Sequence, residues 1–370
     1  LVSKLIQIPS DEGKQESMDG LSTTAIDTFQ EQGYLIVRDI YDHETLQAVR
    51  NSISVQLDAE CHRLIKQRLL TDTDALWNDP FETRFGDIIH RLDPMSQAQK
   101  QLLQAMQNLF LTGRFDHASI DSEKSGLRIE NTLLRCIRYK RLLDVVKSLI
   151  GPDLIGSSTF RIRGKIPIWE PGRELPYFPG EVPWHQDAGY MLAHCDPHLI
   201  ITCWIPLVNA TINNGCMYVL PRKFEDGIIT HHYGRDDRYI WINENNLPPG
   251  DPIPIEIEVG DVLLLHNMTP HASFDNNSGV TRWSMDLRYG SPTMPNNVNE
   301  DPESYTTERP SESMACAPTE ADFVVSDSKN PQREIRDGKL FADLRFRYAK
   351  QHVHPGRGWT RREPESRPTT

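Results

Sequence analysis

Apolar and polar positions follow two different rhythms along this 370-residue chain. Up to about residue 153 the spacing is mainly helical. "TAIDTFQEQG" (24–33) reads as a short helix ended by Gly33, and "YLIVRDI" after it as a strand. "DHETLQAVRNSISVQLDAECHRLI" has helical spacing, with Asp42 placed to cap its start. Two more helices are predicted over 96–110 and 140–153, the second closed by Gly151.

Near residue 154 the rhythm changes. "LIGSSTFRIRGK", "LIITCWIPL", "GCMYVLP", "PIEIEVGDVLLLH" and "TRWSMDLRYG" are short runs rich in β-branched and aromatic residues, separated by Pro, Gly and Asn. Such spacing predicts strands of a sandwich or barrel. Residues 167–183 and 223–252 read as long irregular stretches, the usual form of binding loops or lids. Asn214, Gly215 and Cys216 read as a tight turn between strands. The expected organisation is a loose segment over 1–22 and one domain over 23–290, helical to 153 and β-rich from 154. A polar extension follows over 291–370, with one docking helix near 339–351. That helix would bury a stripe of Leu340, Phe341, Leu344 and Tyr348.

Composition narrows the partners. A formal net charge of −12 argues against nucleic acid and against an anionic membrane surface. No stretch approaches the roughly 18 apolar residues of a membrane helix. The start lacks the apolar core of a signal peptide, the end is not a peroxisomal address, and the six cysteines form no C-x-x-C. The expectation is a cytoplasmic chain with reduced thiols.

The candidate chemistry begins in "VPWHQDAGYM". On a strand, His185 and Asp187 would point to one face, so both can bind one metal. "GDVLLLHNMTPHASF" offers His266 and His271 as a third ligand. Two histidines and one carboxylate form the facial triad that holds Fe(II) and leaves positions open. In "TRWSMDLRY", alternation puts Arg282, Ser284, Asp286 and Arg288 on one face and Trp283, Met285, Leu287 and Tyr289 on the other. An arginine fork matches a carboxylate in two-point fashion, and Arg282 with Ser284 suits the distal carboxylate of 2-oxoglutarate. His231 and His232 read as surface histidines of a loop.

"WHQDAGY", "CWIPLVNATINNGCMYVLPRKF", "GDVLLLHNMTPHAS" and "TRWSMDLRY" together resemble the phytanoyl-CoA dioxygenase family of Fe(II)/2-oxoglutarate-dependent oxygenases. The opening "FQEQGYLIVRDIYDHETL" strengthens the likeness, which runs over roughly residues 24–290. The resemblance implies a mainly β fold with flanking α-helices, built on a double-stranded β-helix, a cupin-like jelly roll. The family's H-x-D matches His185 and Asp187. Its distal histidine matches His271 rather than His266, because Arg282, matching the cosubstrate arginine, lies eleven residues beyond His271. Related halogenases carry a small residue where Asp187 stands, so the resemblance implies oxygen transfer instead.

The implied activity is hydroxylation of a small molecule, using iron, O2 and 2-oxoglutarate as cosubstrate, with release of succinate and CO2. The alternatives are oxidative cyclisation or desaturation in natural-product biosynthesis at the same site, or a non-catalytic cupin-like binding protein. Thr202 and Trp204 share a strand face, and both are candidates for cosubstrate contact. Arg163, Lys165, Tyr190 and Arg288 are candidates for substrate contact. For Arg288, a structural pair with Asp286 or another acid is the competing expectation.

Overall fold

The computed structural model describes residues 20–94, 96–106, 129–156, 161–168, 180–191, 193–233, 239–294, 323–341 and 359. Its helices are α1 (Thr23–Gln32), α2 (His43–Lys66), α3 (Phe81–Arg91), α4 (Gln97–Met106), α5 (Ile129–Ile137) and α6 (Lys140–Ile150). The strands are β1 (Tyr34–Val37), β2 (Leu154–Gly156), β3 (Arg161–Lys165), β4 (Val182–His185), β5 (Ile200–Pro206), β6 (Met217–Val219) and β7 (His231–Tyr233). They continue with β8 (Ile240–Ile242), β9 (Ile253–Ile255), β10 (Val262–His266), β11 (His271–Ser273), β12 (Arg282–Gly290) and β13 (Phe323–Ser326).

The strands form a seven-stranded sheet in the order β1-β10-β5-β12-β2-β13, with β3 also on β12. A four-stranded sheet has the order β4-β11-β6-β9, and β7 and β8 make a separate ribbon. Period-two alternation decides what each face of the large sheet meets. From β12, Trp283, Met285, Leu287 and Tyr289 join the main apolar cluster with Phe85 of α3 and Leu46 of α2. Trp283 lies 5.4 Å from Phe85, ring centre to ring centre, and the Tyr289 hydroxyl donates to the Ile137 carbonyl of α5 at 2.7 Å. On β10, Val262 and Leu264 enter that same cluster. Leu263 and Leu265, between them, pack instead with Trp204, Val219 and Ile255, bridging the two sheets. The space between the sheets is therefore apolar in one part, and receives the polar face of β12 in another.

Local signals held where a cap sets the boundary. Asp42 accepts a hydrogen bond from the Thr45 amide at 2.6 Å, and Gly33 ends α1 at φ 77°. Gly215 likewise takes φ 76° in the turn before β6. Four features differ from the sequence expectation. Helices α3 and α5 were not foreseen. The irregular stretch 223–252 contains the β7–β8 ribbon, which places His231 and His232 in the interior, 0% and 5% exposed, rather than on a loop surface. Within the polar run after 291, the short apolar "FVVS" forms β13 and pairs with β2 at the sheet edge. Of the expected stripe, Phe341 is buried against Phe323 while Leu340 is 43% exposed. Leu344, Tyr348 and the rest of that helix, the segment 1–19 and residues 169–179 lie outside the described residues.

The five described cysteines, Cys61, Cys136, Cys195, Cys203 and Cys216, are buried. Among the described residues no helix is long and apolar enough to cross a membrane.

His266 links α1 to this framework. Its Nε2 donates to the Arg222 carbonyl at 2.9 Å, while Nδ1 accepts from the Met268 amide at 3.1 Å, so the ring is neutral. Burial holds its pKa down at about 4. An unfolded histidine titrates near about 6.5, so between these values the unfolded chain binds the extra proton. Stability then falls as pH drops through that window. In urea unfolding, the wild type should lose about 2 kcal/mol more than His266→Gln between pH 7 and pH 5. Equal losses in the two proteins would show that His266 is not the titrating group.

Candidate metal centre

Strand pairing builds the first half of the site. His271 opens β11 and sits directly opposite His185, the last residue of β4. Their ring centroids are 4.2 Å apart. Each Nδ1 donates to a carbonyl two residues back, His185 to Pro183 at 2.8 Å and His271 to Thr269 at 2.9 Å. That fixes the tautomer and leaves each Nε2 lone pair to act as a ligand. Burial, and then His271 beside it, hold the pKa of His185 well below its usual value, so it is neutral as a ligand must be.

Asp187 does not reach the site as the i+2 residue of a strand. The chain leaves the ladder after His185, and Asp187 begins a single turn over Asp187–Tyr190. Gln186 causes the exit: its amide donates to His231 Nε2 at 2.9 Å, and its side chain bonds to the carbonyls of Gly227 and Met268. The turn still brings Asp187 Oδ1 to 4.0 Å from His185 Nε2 and 3.9 Å from His271 Nε2. One ligand atom from each of the three residues lies within 4.8 Å of the others, and all three residues are buried. His266, the competing candidate, spends both ring nitrogens on structure.

The Asp187 carboxylate is held on both oxygens. Arg288 Nη2 reaches Oδ1 at 3.0 Å and Nε reaches Oδ2 at 3.2 Å, while Thr202 Oγ1 donates to Oδ2. Burial alone would raise the Asp187 pKa, but Arg288 and the two histidines hold it below the usual carboxylate range. Arg288 also reaches Asp286 at 3.3 Å. Its expected pairing with Asp286 is therefore present, but its two-point partner is Asp187. Thr202, expected to contact cosubstrate, gives its hydroxyl to Asp187 instead.

Arg282 lies 3% exposed on the same face of β12. It donates to Ser284 at 3.1 Å and to Ser273 at 3.4 Å, and its guanidinium stands over the Trp204 ring at 5.1 Å. Its Nε is buried with no hydrogen-bond partner among the described residues. Burial lowers its pKa only to about 10, so it stays charged at neutral pH. A buried guanidinium with an orphaned donor suits a ligand carboxylate, and two imidazoles with a carboxylate suit a metal such as Fe(II).

The substrate candidates separate. Tyr190 packs edge-on against His185 at 5.5 Å and its hydroxyl accepts from the Ile240 amide at 3.3 Å. Arg163 lies 3.7 Å from Asp286 with its side chain 31% exposed. Lys165 directs its ammonium to the carbonyls of Gly180, Ser273 and Phe274. Sequence reasoning missed Ser273, Gln186 and His231. Only Ser273 carried a signal, two residues beyond His271 on the same strand face.

A profile described as phytanoyl-CoA dioxygenase (PhyH) matches residues 29–284. A phytanoyl-CoA dioxygenase of Arabidopsis thaliana is 29% identical over 114 residues, 30% of this chain and 39% of the relative. Phytanoyl-CoA dioxygenase 1 of Oryza sativa subsp. japonica is 28% identical over 120 residues, 30% of this chain and 40% of the relative. The matched part of the chain thus spans about two fifths of the length of these curated relatives. Among solved structures, the apo form of the non-heme monooxygenase ThoJ is similar at a TM-score of 0.47 and 17% identity, over 75% of this chain and 81% of that one.

A divalent metal at 100 times its Kd should stabilise the folded chain by about 2.7 kcal/mol. Thermal melts with Co(II) should show that gain in the wild type and in His266→Gln, and its loss in His271→Ala. A gain retained in His271→Ala would remove His271 from the ligand set.

Proposed function

The chain belongs to the phytanoyl-CoA dioxygenase family, and from that premise we propose that it is a non-haem Fe(II)- and 2-oxoglutarate-dependent oxygenase that hydroxylates a small molecule. The observation that carries this reading is the buried His185–Asp187–His271 cluster with a buried, carboxylate-free Arg282 in the same core. The strand orders support a jelly-roll core: β3-β12-β5-β10 within one sheet and β4-β11-β6-β9 in the other interleave as the two halves of a double-stranded β-helix do.

When bound, iron and 2-oxoglutarate supply the oxidation, one atom of O2 going to succinate and the other to the substrate, with loss of CO2. The protein side chains bind and orient. His185 and His271 would present their Nε2 atoms, their Nδ1 atoms being held by carbonyls, and Asp187 a carboxylate oxygen. Arg288 and Thr202 hold that carboxylate in one orientation. Arg282, braced by Ser284 and Ser273 over Trp204, receives the far carboxylate of the cosubstrate. Tyr190, packed on His185, and Arg163, beside Asp286, are the side chains we assign to substrate contact. Burial of the three ligands excludes water from the reacting centre.

Anaerobic addition of 2-oxoglutarate to the Fe(II)-loaded protein should give a visible charge-transfer band, and a metabolite screen should find compounds that stimulate succinate release. Product analysis then separates hydroxylation from cyclisation or desaturation. Arg282→Ala should weaken 2-oxoglutarate about 100-fold, the loss expected when one partner of a buried charge pair is removed, and leave Co(II) stabilisation intact. Normal cosubstrate affinity in that variant would overturn the role given to Arg282, and the absence of any band in the wild type would overturn the oxygenase reading.

A further inference from the structure

The turn that carries Asp187 lies outside both sheets, so ladder hydrogen bonds do not hold it. Its supports come from elsewhere in the fold. On one side the Ala188 amide donates to the Asn267 carbonyl at 2.9 Å. On the other side His231 of β7 packs against it. The His231 ring accepts from the Gln186 amide through Nε2 and donates to the Ile229 carbonyl through Nδ1 at 2.7 Å. A Cβ on Gly189 would come within 2.8 Å of that same Nε2, so the glycine is what lets the imidazole approach.

Trp359 completes this wall. It comes from the C-terminal extension, well past residue 284 where the family match ends. Its indole lies on the His231 ring, centroids 5.3 Å apart and planes 38° to each other, and its Nε1 donates to the Gly189 carbonyl at 2.8 Å. One side chain thus touches the turn twice. It reaches Gly189 directly, two residues after Asp187, and Gln186 through His231, one residue before it. The layer order is indole, imidazole, turn, with the carboxylate ligand on the turn.

We infer that Trp359, a residue well beyond the family match, is a positioning residue for the Asp187 carboxylate. The inference rests on the metal reading of His185, Asp187 and His271. Trp359 acts by limiting where the turn can sit. An aromatic side chain with a donor suits the task, because the ring gives the stack and the N–H fixes its direction.

The test uses the full chain, metal-free, as wild type, Trp359→Phe, Trp359→Ala and Phe341→Ala. Phe341 also belongs to the C-terminal region, and it packs on Phe323 of β13 in the main apolar cluster. Co(II) affinity is read by titration, and the thermal midpoint is measured on the same metal-free samples. Trp359→Ala should raise the Co(II) Kd about 10-fold, in the range for lost outer contacts of a metal site. Trp359→Phe, which keeps the stack and loses one hydrogen bond, should raise it about 3-fold to 5-fold. Phe341→Ala should lower the thermal midpoint with the Kd unchanged. Metal quenching of tryptophan emission should also lose a component in Trp359→Phe. Wild-type Kd in both Trp359 variants overturns the inference alone. So does a Kd in Trp359→Ala that moves no more than in Phe341→Ala. If Trp359→Ala does not fold, Trp359→Phe decides by the same Kd comparison. Absence of any Co(II) response in the wild type overturns the metal reading and this inference with it.

Discussion

A carboxylate 3% exposed is the constraint around which the site is arranged. Leaving Asp187 unpaired in this interior would cost several kcal/mol. The fold compensates it from the large sheet, although Asp187 itself hangs from the small one. Arg288 stands opposite Thr202 in the β12–β5 ladder, so one register places both donors on the same carboxylate. A slip of one residue would turn Arg288 toward the helices and bring Leu287 or Tyr289 to the carboxylate. The register of two central strands and the charge of one aspartate are therefore a single requirement.

The same period-two geometry lets β12 serve two environments. Its apolar residues meet α2, α3 and α5, and its polar residues meet the interior between the sheets. A strand buried on both faces normally reads as a continuous apolar run. Here one face carries two arginines, a serine and an aspartate at almost no exposure. Such a face is tolerable only if its charges find partners: Arg288 finds Asp187 and Asp286, and Arg282 finds two hydroxyls and a ring but no carboxylate. On the proposed function, that asymmetry separates a bracing residue, Arg288, from a ligand-binding one, Arg282.

What was legible in the chain follows from the range of the forces involved. Gly33, Asp42, Gly151 and Gly215 act through their own backbone or a neighbour three residues away, and the structure places each where the local pattern does. The two faces of β12 were legible for the same reason. Contacts between distant segments were not. Thr202 looks like a cosubstrate ligand until Arg288 and Asp187 are seen beside it. Lys165 looks like a substrate contact until the carbonyls of Gly180, Ser273 and Phe274 close on its ammonium. The structure also brings His185 and Asp187 together, but not by the i+2 strand geometry, because Gln186 is drawn out of the ladder by His231, which follows it by 45 positions. Trp359 carried no signal at all, since nothing in its flanking residues marks what it lies against.

Charge links the parts of the site to one another. Three guanidinium groups, on Arg163, Arg282 and Arg288, face two carboxylates, on Asp187 and Asp286, so the polar interior carries an excess positive charge before any ligand enters. A dication bound by His185, Asp187 and His271 enlarges that excess in a region of low effective dielectric, where it is poorly screened. A dianion that takes Arg282 with one carboxylate and the metal with the other relieves both. On the proposed function, each of these ligands strengthens the binding of the other, and linkage makes that coupling equal in both directions. The orphaned donor on Arg282 and the ligand cluster are then two ends of one electrostatic problem, which the protein leaves unsolved until metal and cosubstrate are both present.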